Sequence, residues 1–399
     1  MSPSPETHAK IRNAVNHDRL VDLAVKLVEI PSPTRSAAKV ADRLAGIFSE
    51  DGFDVRRLDA GWPSAPAVVA RLDSGRPGRT IQFNGHLDTV HLPFVPPRVE
   101  GGKLYGSGAS DMKGGVAAMC EAARALRDCG GLTAGAILIT AHDLHESPWG
   151  DGSQVDGLID EGILGDGVLL PEYLAEPLPV IGRGLAVLKA TLTREGEPVH
   201  EVLGGIEQPS VIAAGAELVR RLGQLDEALK LETHPIAGRE SVFIGQVAAG
   251  EIYNQSPVEF TLTGTRRWLP GPHNDLKGTR LEVARNTYFG LLKGVAAATG
   301  TKVEGEFIVA RDAFEIDPAD PLVGAFQSAH EQVAGRRLPL GAKPFVDDGN
   351  TFVARGRVAA ITHGPAAKGA HTLQEEVAID ELVRVAEVYA LAAVAFCNS

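Results

Sequence analysis

Five short clusters in this 399-residue chain carry side chains able to hold a metal ion or move a proton. FNGHLDTV brings His86 and Asp88, and LYGSGASDMKGG brings Asp111. AHDLHESPWGDG offers His142, Asp143, His145 and Glu146; LLPEYLAEP offers Glu172; HGPAAKGAHTLQEEV offers His371, followed by Glu375. Four of the five fall where a predicted strand ends or a loop opens, and open α/β sheets collect their ligands beyond the carboxyl ends of their strands. Strand alternation puts His86 and Asp88 on one side, so the aspartate can orient the imidazole. Plainer readings stand beside these. A lone HxD is often a hydrogen-bonded loop pair, and Asp111 before Lys113–Gly114–Gly115 reads equally as a helix N-cap. The glycine spacing around Asp111 fits neither phosphate-loop pattern. Taken together, two histidines and three carboxylates suit a two-metal hydrolytic centre, with nitrogen and oxygen donors fitting zinc, manganese or cobalt better than copper(I) or an iron–sulfur cluster. Two cations about 3.5–4 Å apart can polarise a carbonyl and generate hydroxide near neutral pH. The clusters are scattered from His86 to His371, so spacing alone does not establish the centre.

The elements that must position these residues alternate. Residues 1–12 read as a frayed polar start. Apolar residues at helical spacing predict a helix over His17–Ile30, ended by Pro31–Ser32–Pro33, and a second over 36–50. AVVARL (67–72), TIQFNG (80–85), AGAILITA (134–141) and GDGVLLPE (165–172) read as strands, with a small-residue helix from Asp111 through Arg127. Strands alternating with helices predict a parallel or mixed α/β sheet. After IGRG at 181–184 the pattern changes to alternating, two-sided strands, with helices near 208–223 and 275–299 and a closing strand at 301–310. Helix–strand alternation then resumes with a helix over 320–335, a strand at 357–364 and a final helix over 379–396. The simplest organisation is a catalytic α/β domain of residues 1–184 and 312–399, interrupted by an inserted α+β domain, 185–311.

GHLDTV, GSGASDMKGG, an acidic loop after a strand, a strand-end glutamate and GAHTLQEEV follow one another in an order that resembles the M20 family of metallopeptidases and amidohydrolases. That group includes aminoacylases, acetylornithine deacetylase, succinyl-diaminopimelate desuccinylase and glutamate carboxypeptidase. The resemblance implies a zinc-peptidase-like catalytic domain with a mixed sheet flanked by helices, and an inserted lid and dimerisation domain. It implies His86 and Glu172 on one metal, Glu146 and His371 on the other, Asp111 bridging, and Asp88 buttressing His86. In the lid, GEPVH resembles the segment whose histidine reaches a partner subunit's active site, which nominates His200. NQSP and TRRWLP nominate Asn254 and Arg267 as substrate contacts, a guanidinium being well matched to a carboxylate.

Two departures stand out. Relatives carry adjacent glutamates after the third strand, the first as general base, whereas this chain reads LHES, with His145 in the base slot. His145 takes that role, or Asp143 does, or ordinary peptide hydrolysis is lost, and the second metal could be weakened to leave one ion. FVDDGNTF replaces a GGTDA-like stretch near the substrate, so Asp348 and Asn350 are expected to shape the pocket. Trp149, near the same loop, reads either as a surface for a planar substrate or as a buried core residue.

The leading expectation is a metal-dependent hydrolase that cleaves the amide bond of a small carboxylate-bearing substrate, an N-acyl amino acid or dipeptide. A hydrolytic deaminase of an activated aromatic amine and a catalytically silent metal-binding protein are the alternatives. A net charge of −12 argues against a polyanionic partner such as nucleic acid. No apolar run reaches the ~20 residues of a membrane span. Three cysteines without CxxC spacing and a start unlike a secretory signal point to a reducing, cytoplasmic setting. The family resemblance implies a homodimer or an assembly of dimers.

Overall fold

A computed structural model describes residues 4–203, 209–273 and 276–398. The chain divides into two compact units. One comprises Met1–Val180, Ile316–Ala342 and Asp347–Ser399; the other comprises Ile181–Glu315 and Lys343–Val346.

The first unit is built on a six-stranded sheet in the order Asp54–Leu58, Ala67–Asp73, Ala136–His142, Thr80–His86, Gly167–Leu170, Ala359–Thr362. The first two strands run antiparallel to their neighbours and the last four are mutually parallel, so the sheet is mixed. Ala136–His142 and Gly167–Leu170 are buried along their whole length and read as near-continuous apolar runs, whereas Thr80–His86 alternates, with polar Gln82 and Asn84 buried beside Ile81 and Phe83. The helix Ile379–Cys397 packs against Lys113–Cys129 and Pro321–Ala334. Close approach needs glycine at two places: a Cβ on Gly115 would run into the Pro171 carbonyl, and one on Gly364 into that of Glu172. Both glycines let backbone press against the segment that carries Glu172.

The N-terminal expectation is corrected. Pro5–Ala14 is a helix, because Ser4 accepts the Thr7 N–H at 3.1 Å as N-cap, Pro5 supplies a first-turn φ, and Ile11 is fully buried. The polar composition hid a helix that needs only one apolar anchor.

The second unit is a four-stranded antiparallel sheet, ordered Ser241–Ala249, Glu259–Trp268, Gly184–Thr193, Lys302–Arg311. Gly184–Thr193 and Glu259–Trp268 alternate between buried and partly open positions. Leu188, Leu192, Phe260 and Leu262 on the sheet meet Leu218 and Leu222 of Val211–Ala228 and Leu292 and Val295 of Arg280–Thr299. Ser210 caps the first of these helices, and a Thr279–Glu282 capping box starts the second. The starts read from the sequence, 208 and 275, lie outside the described residues.

Candidate metal centre

The four parallel strands deliver their carboxyl ends to one place. His86 ends Thr80–His86 and His142 ends Ala136–His142, while Glu172 lies two residues beyond Leu170 and His363 one beyond Thr362. The loop carrying Asp111 joins them through a buried carboxylate 264 positions away. Glu375 Oε1 accepts the Gly108 N–H at 3.0 Å, and its Oε2 accepts the Ser110 N–H (3.1 Å), the Ser110 hydroxyl (2.9 Å) and the Asp111 N–H (3.2 Å). The following helix begins at Lys113 with no side-chain cap, so the N-cap reading of Asp111 falls away.

Asp111 instead sits between two His–Glu pairs. Its Oδ1 lies 3.1 Å from His86 Nε2, which is 3.6 Å from Glu172 Oε1. Its Oδ2 lies 3.1 Å from His371 Nε2, which is 3.0 Å from Glu146 Oε2. All five candidate ligands are thereby brought together, each histidine on its own oxygen of one aspartate. His371 reaches in from an exposed loop with a left-handed backbone, φ 61°.

Donor chemistry tests the fit to metal. Two donors on one tetrahedral zinc, each ~2.0–2.1 Å from it, stand ~3.3 Å apart; the separations of 3.0–3.6 Å bracket that value. Charge points the same way. Burial, then the neighbouring Asp111, pushes the Glu172 and Glu146 carboxyls above the usual range. His371, hydrogen-bonded to Asp111 and Glu146, is raised to about 10. For His86, burial opposes the charged form, but Asp111, Glu172 and Asp88 outweigh it and raise the ring well above its ordinary value. Three buried carboxylates that hold neighbouring imidazoles toward the charged form make this cluster a candidate cation site. The residues fit divalent ions.

The supporting residues are arranged differently from the expectation in several respects. His86 Nδ1 donates to the Asp88 backbone carbonyl at 2.9 Å, and the Asp88 carboxylate is 3.6 Å away. That carboxylate accepts the N–H groups of His145 (3.1 Å) and Glu146 (3.0 Å), so Asp88 shapes the turn that presents them. Asp143 is no candidate base. Its carboxylate accepts the N–H groups of Arg35, Ala37 and Leu144. His145 stacks on His86, with centroids 4.0 Å apart and planes 4° from parallel, and its Nε2 lies 3.7 Å from Glu172 Oε1.

Asp348 and Asn350, expected in the pocket, are only 1% and 0% exposed. Asp348 bonds to His145 at 2.8 Å, and Asn350 closes a capping box with Asp347. Neither side chain is open to a ligand. Trp149 stacks on His91 at 4.3 Å, which covers one of its faces. His200, Asn254 and Arg267 belong to the second unit, where the Asn254 amide lies 2.9 Å from His200 Nε2. Arg267 is half-buried, and burial with a nearby Arg183 lowers its pKa. The organising roles of Glu375 and Asp348 were not legible from sequence; a carboxylate four residues past His371 was the only sign of the first.

Residues 82–395 match peptidase family M20/M25/M40. The chain belongs to that family. Among curated relatives, a succinyl-diaminopimelate desuccinylase of Methylobacterium radiotolerans is 32% identical over 211 residues, 46% of this chain and 51% of the relative. The chain thus spans about half the length of that relative. An N-formyl-4-amino-5-aminomethyl-2-methylpyrimidine deformylase of Bacillus subtilis is 22% identical over 96% of this chain and 95% of its own. Aminopeptidase PepT from Bacillus cereus has the same fold, with a TM-score of 0.79 at 20% identity, covering 96% of this chain and 99% of that one.

Proposed function

We propose that this family member is a metal-dependent hydrolase that opens the amide bond of a small carboxylate-bearing substrate, an N-acyl amino acid or dipeptide. The observation that carries the reading is Asp111, shared between the His86–Glu172 and His371–Glu146 pairs. These five residues would hold one or two ions of zinc, manganese or cobalt, which when bound polarise the carbonyl and make water acidic near neutral pH. His145 takes a proton from the attacking water at Nε2 and returns it to the leaving nitrogen as the C–N bond breaks. Arg267 and Asn254 receive the substrate carboxylate, and His200, from a partner copy, stabilises the developing oxyanion.

Support for a homodimer comes from the edge strand Ser241–Ala249 of the second unit, where Phe243 and Val247 are exposed; an open apolar edge invites pairing. Among the described residues no helix is long and apolar enough to cross a membrane. The three cysteines are free thiols, which supports a reducing, cytoplasmic location as our proposal.

The test is turnover by protein stripped of metal and reloaded with zinc, manganese or cobalt. The panel holds N-formyl, N-acetyl and N-succinyl amino acids, dipeptides and aminobenzoates, read by amine or ammonia release. Metal-dependent release of amine from an acyl amino acid or dipeptide is expected. Ammonia from the aminobenzoates alone, or no turnover with any ion, would overturn the reading.

A further inference from the structure

A histidine in the slot of a glutamate base raises a problem that the glutamate does not have. The two oxygens of a carboxylate are equivalent, whereas a neutral imidazole has one nitrogen with a lone pair and one with a hydrogen. Something must choose which of the two faces the ligand cluster.

We propose that Asp348 is a positioning residue that fixes His145 with its Nε2 lone pair toward the cluster; this rests on the reading of His145 as the proton acceptor. Asp348 Oδ2 is 2.8 Å from His145 Nδ1 and 3.1 Å from His142 Nε2. With His142 Nδ1 giving its hydrogen to the Asp143 carbonyl, the contact between His142 Nε2 and Asp348 Oδ2 needs a proton of its own; whichever of the two holds it, Oδ2 keeps a lone pair for the His145 Nδ1–H, and the His145 lone pair is on Nε2, which faces Glu172 Oε1.

The holder is itself held. Asp348 opens the short helix Asp348–Ala354, whose N-cap Asp347 accepts the Gly349 N–H at 2.7 Å and, through its other oxygen, the Thr362 hydroxyl at 2.7 Å. The helix start is thereby tied to the last residue of the strand Ala359–Thr362. His142 is tied as well, its Nδ1 lying 3.0 Å from the Asp143 carbonyl. His145 is thus gripped on one edge by Asp348, on one face by His86 and at its N–H by Asp88. In the proton step, a water O–H bond breaks with its electron pair left on oxygen, and the proton joins the Nε2 lone pair. The Nδ1–H stays with Asp348 throughout.

The experiment uses zinc-loaded protein labelled with nitrogen-15 at histidine, the His145 signals being those missing from H145Q. The wild type is expected to show a protonated Nδ1 and a bare Nε2 that zinc does not ligate. In D348N the amide can turn its NH₂ to Nδ1, so the ring is expected to switch tautomer or average between the two, with zinc stoichiometry unchanged. On a substrate that the panel identifies, D348N should lower kcat about 100-fold or more, in the range of a lost general base, with KM within about threefold. Added to H145Q, the same change should cost less than about threefold, since the two act as one unit.

A wild-type Nε2–H tautomer, zinc ligation of Nε2, an unchanged ring in D348N, or multiplicative losses in the double variant would each refute the proposal. The ring signals of the wild type decide the matter even if D348N does not fold. They are also independent of turnover, so a silent substrate panel would count against the proposed function and leave this test standing.

Discussion

Glu375 grips the backbone of the loop that carries Asp111, and through it should control metal affinity. The residue is 5% exposed, and its carboxylate accepts three backbone N–H groups and one hydroxyl from the loop that ends in Asp111. In E375Q the amide oxygen can keep the three bonds now made to Oε2. Its NH₂ then faces the Gly108 N–H, donor against donor. One buried donor left unpaired costs about 1–3 kcal/mol, and lost charge assistance adds to it. E375A orphans all three N–H groups, and even with water entering we expect about 3–6 kcal/mol. At roughly 2–4 °C per kcal/mol for a domain of this size, E375Q should melt about 2–12 °C lower and E375A at least about 6 °C lower. Partners that orient ligands typically contribute 10–100-fold to metal affinity, so E375Q should bind zinc about tenfold or more weakly. Calorimetric melting of metal-free protein separates the stability term, and competition against a chromophoric chelator reads the affinity. If E375Q melted within a degree of wild type and competed for zinc equally well, the assignment of Glu375 as the anchor of the Asp111 loop would be wrong.

Three further outcomes follow from the same geometry. Excess chelator should lower the melting temperature of the loaded protein, since ions at 1,000 times their Kd add about 4 kcal/mol to the folded state; melting that ignores chelator would argue against a cation site. D111N removes the charge shared by both pairs, and elemental analysis after dialysis should find fewer ions per chain than in wild type; an unchanged count would deny the shared role. At pH 8, brief alkylation should label Cys129 alone of the three cysteines. Burial pushes the Cys120 thiol up to about 12 and the Cys397 thiol to about 11, whereas Cys129 is only half-buried. Native labelling of Cys120, read by mass spectrometry, would contradict that packing.

What the sequence disclosed follows from how locally each feature is encoded. Ala136–His142 is an apolar run and Thr80–His86 alternates Ile81 and Phe83 with polar residues, and both patterns can be read from a short window. Ligand types at strand ends were legible for the same reason, and their common destination needed only the rule that parallel strands share one carboxyl edge. Contacts between side chains and distant backbone leave no period to detect. The grip of Asp88 on the N–H groups of His145 and Glu146, and that of Glu375 on the loop of Gly108 to Asp111, are of this kind. Asp348 reads from sequence as a pocket residue, because nothing in FVDDGNTF shows that a helix start buries it against two imidazoles. The four residues Lys343–Val346, which group with the second unit, likewise carry no compositional mark.

The sheet that presents the ligands cannot close until late in synthesis. Gly167–Leu170 takes Ala359–Thr362 as its parallel partner, and between them in the chain lies the whole of Ile181–Glu315. The antiparallel sheet of that second unit pairs strands nearer in sequence, so on a ribosome its contacts become available first. His371 and Glu375 then arrive together on one short loop. One brings a ligand, and the other fixes the aspartate that both His–Glu pairs share. An unfinished chain therefore exposes His86, Glu146 and Glu172 with neither the second histidine nor an anchored Asp111. The sharing of Asp111 between both His–Glu pairs is in this way coupled to completion of the fold.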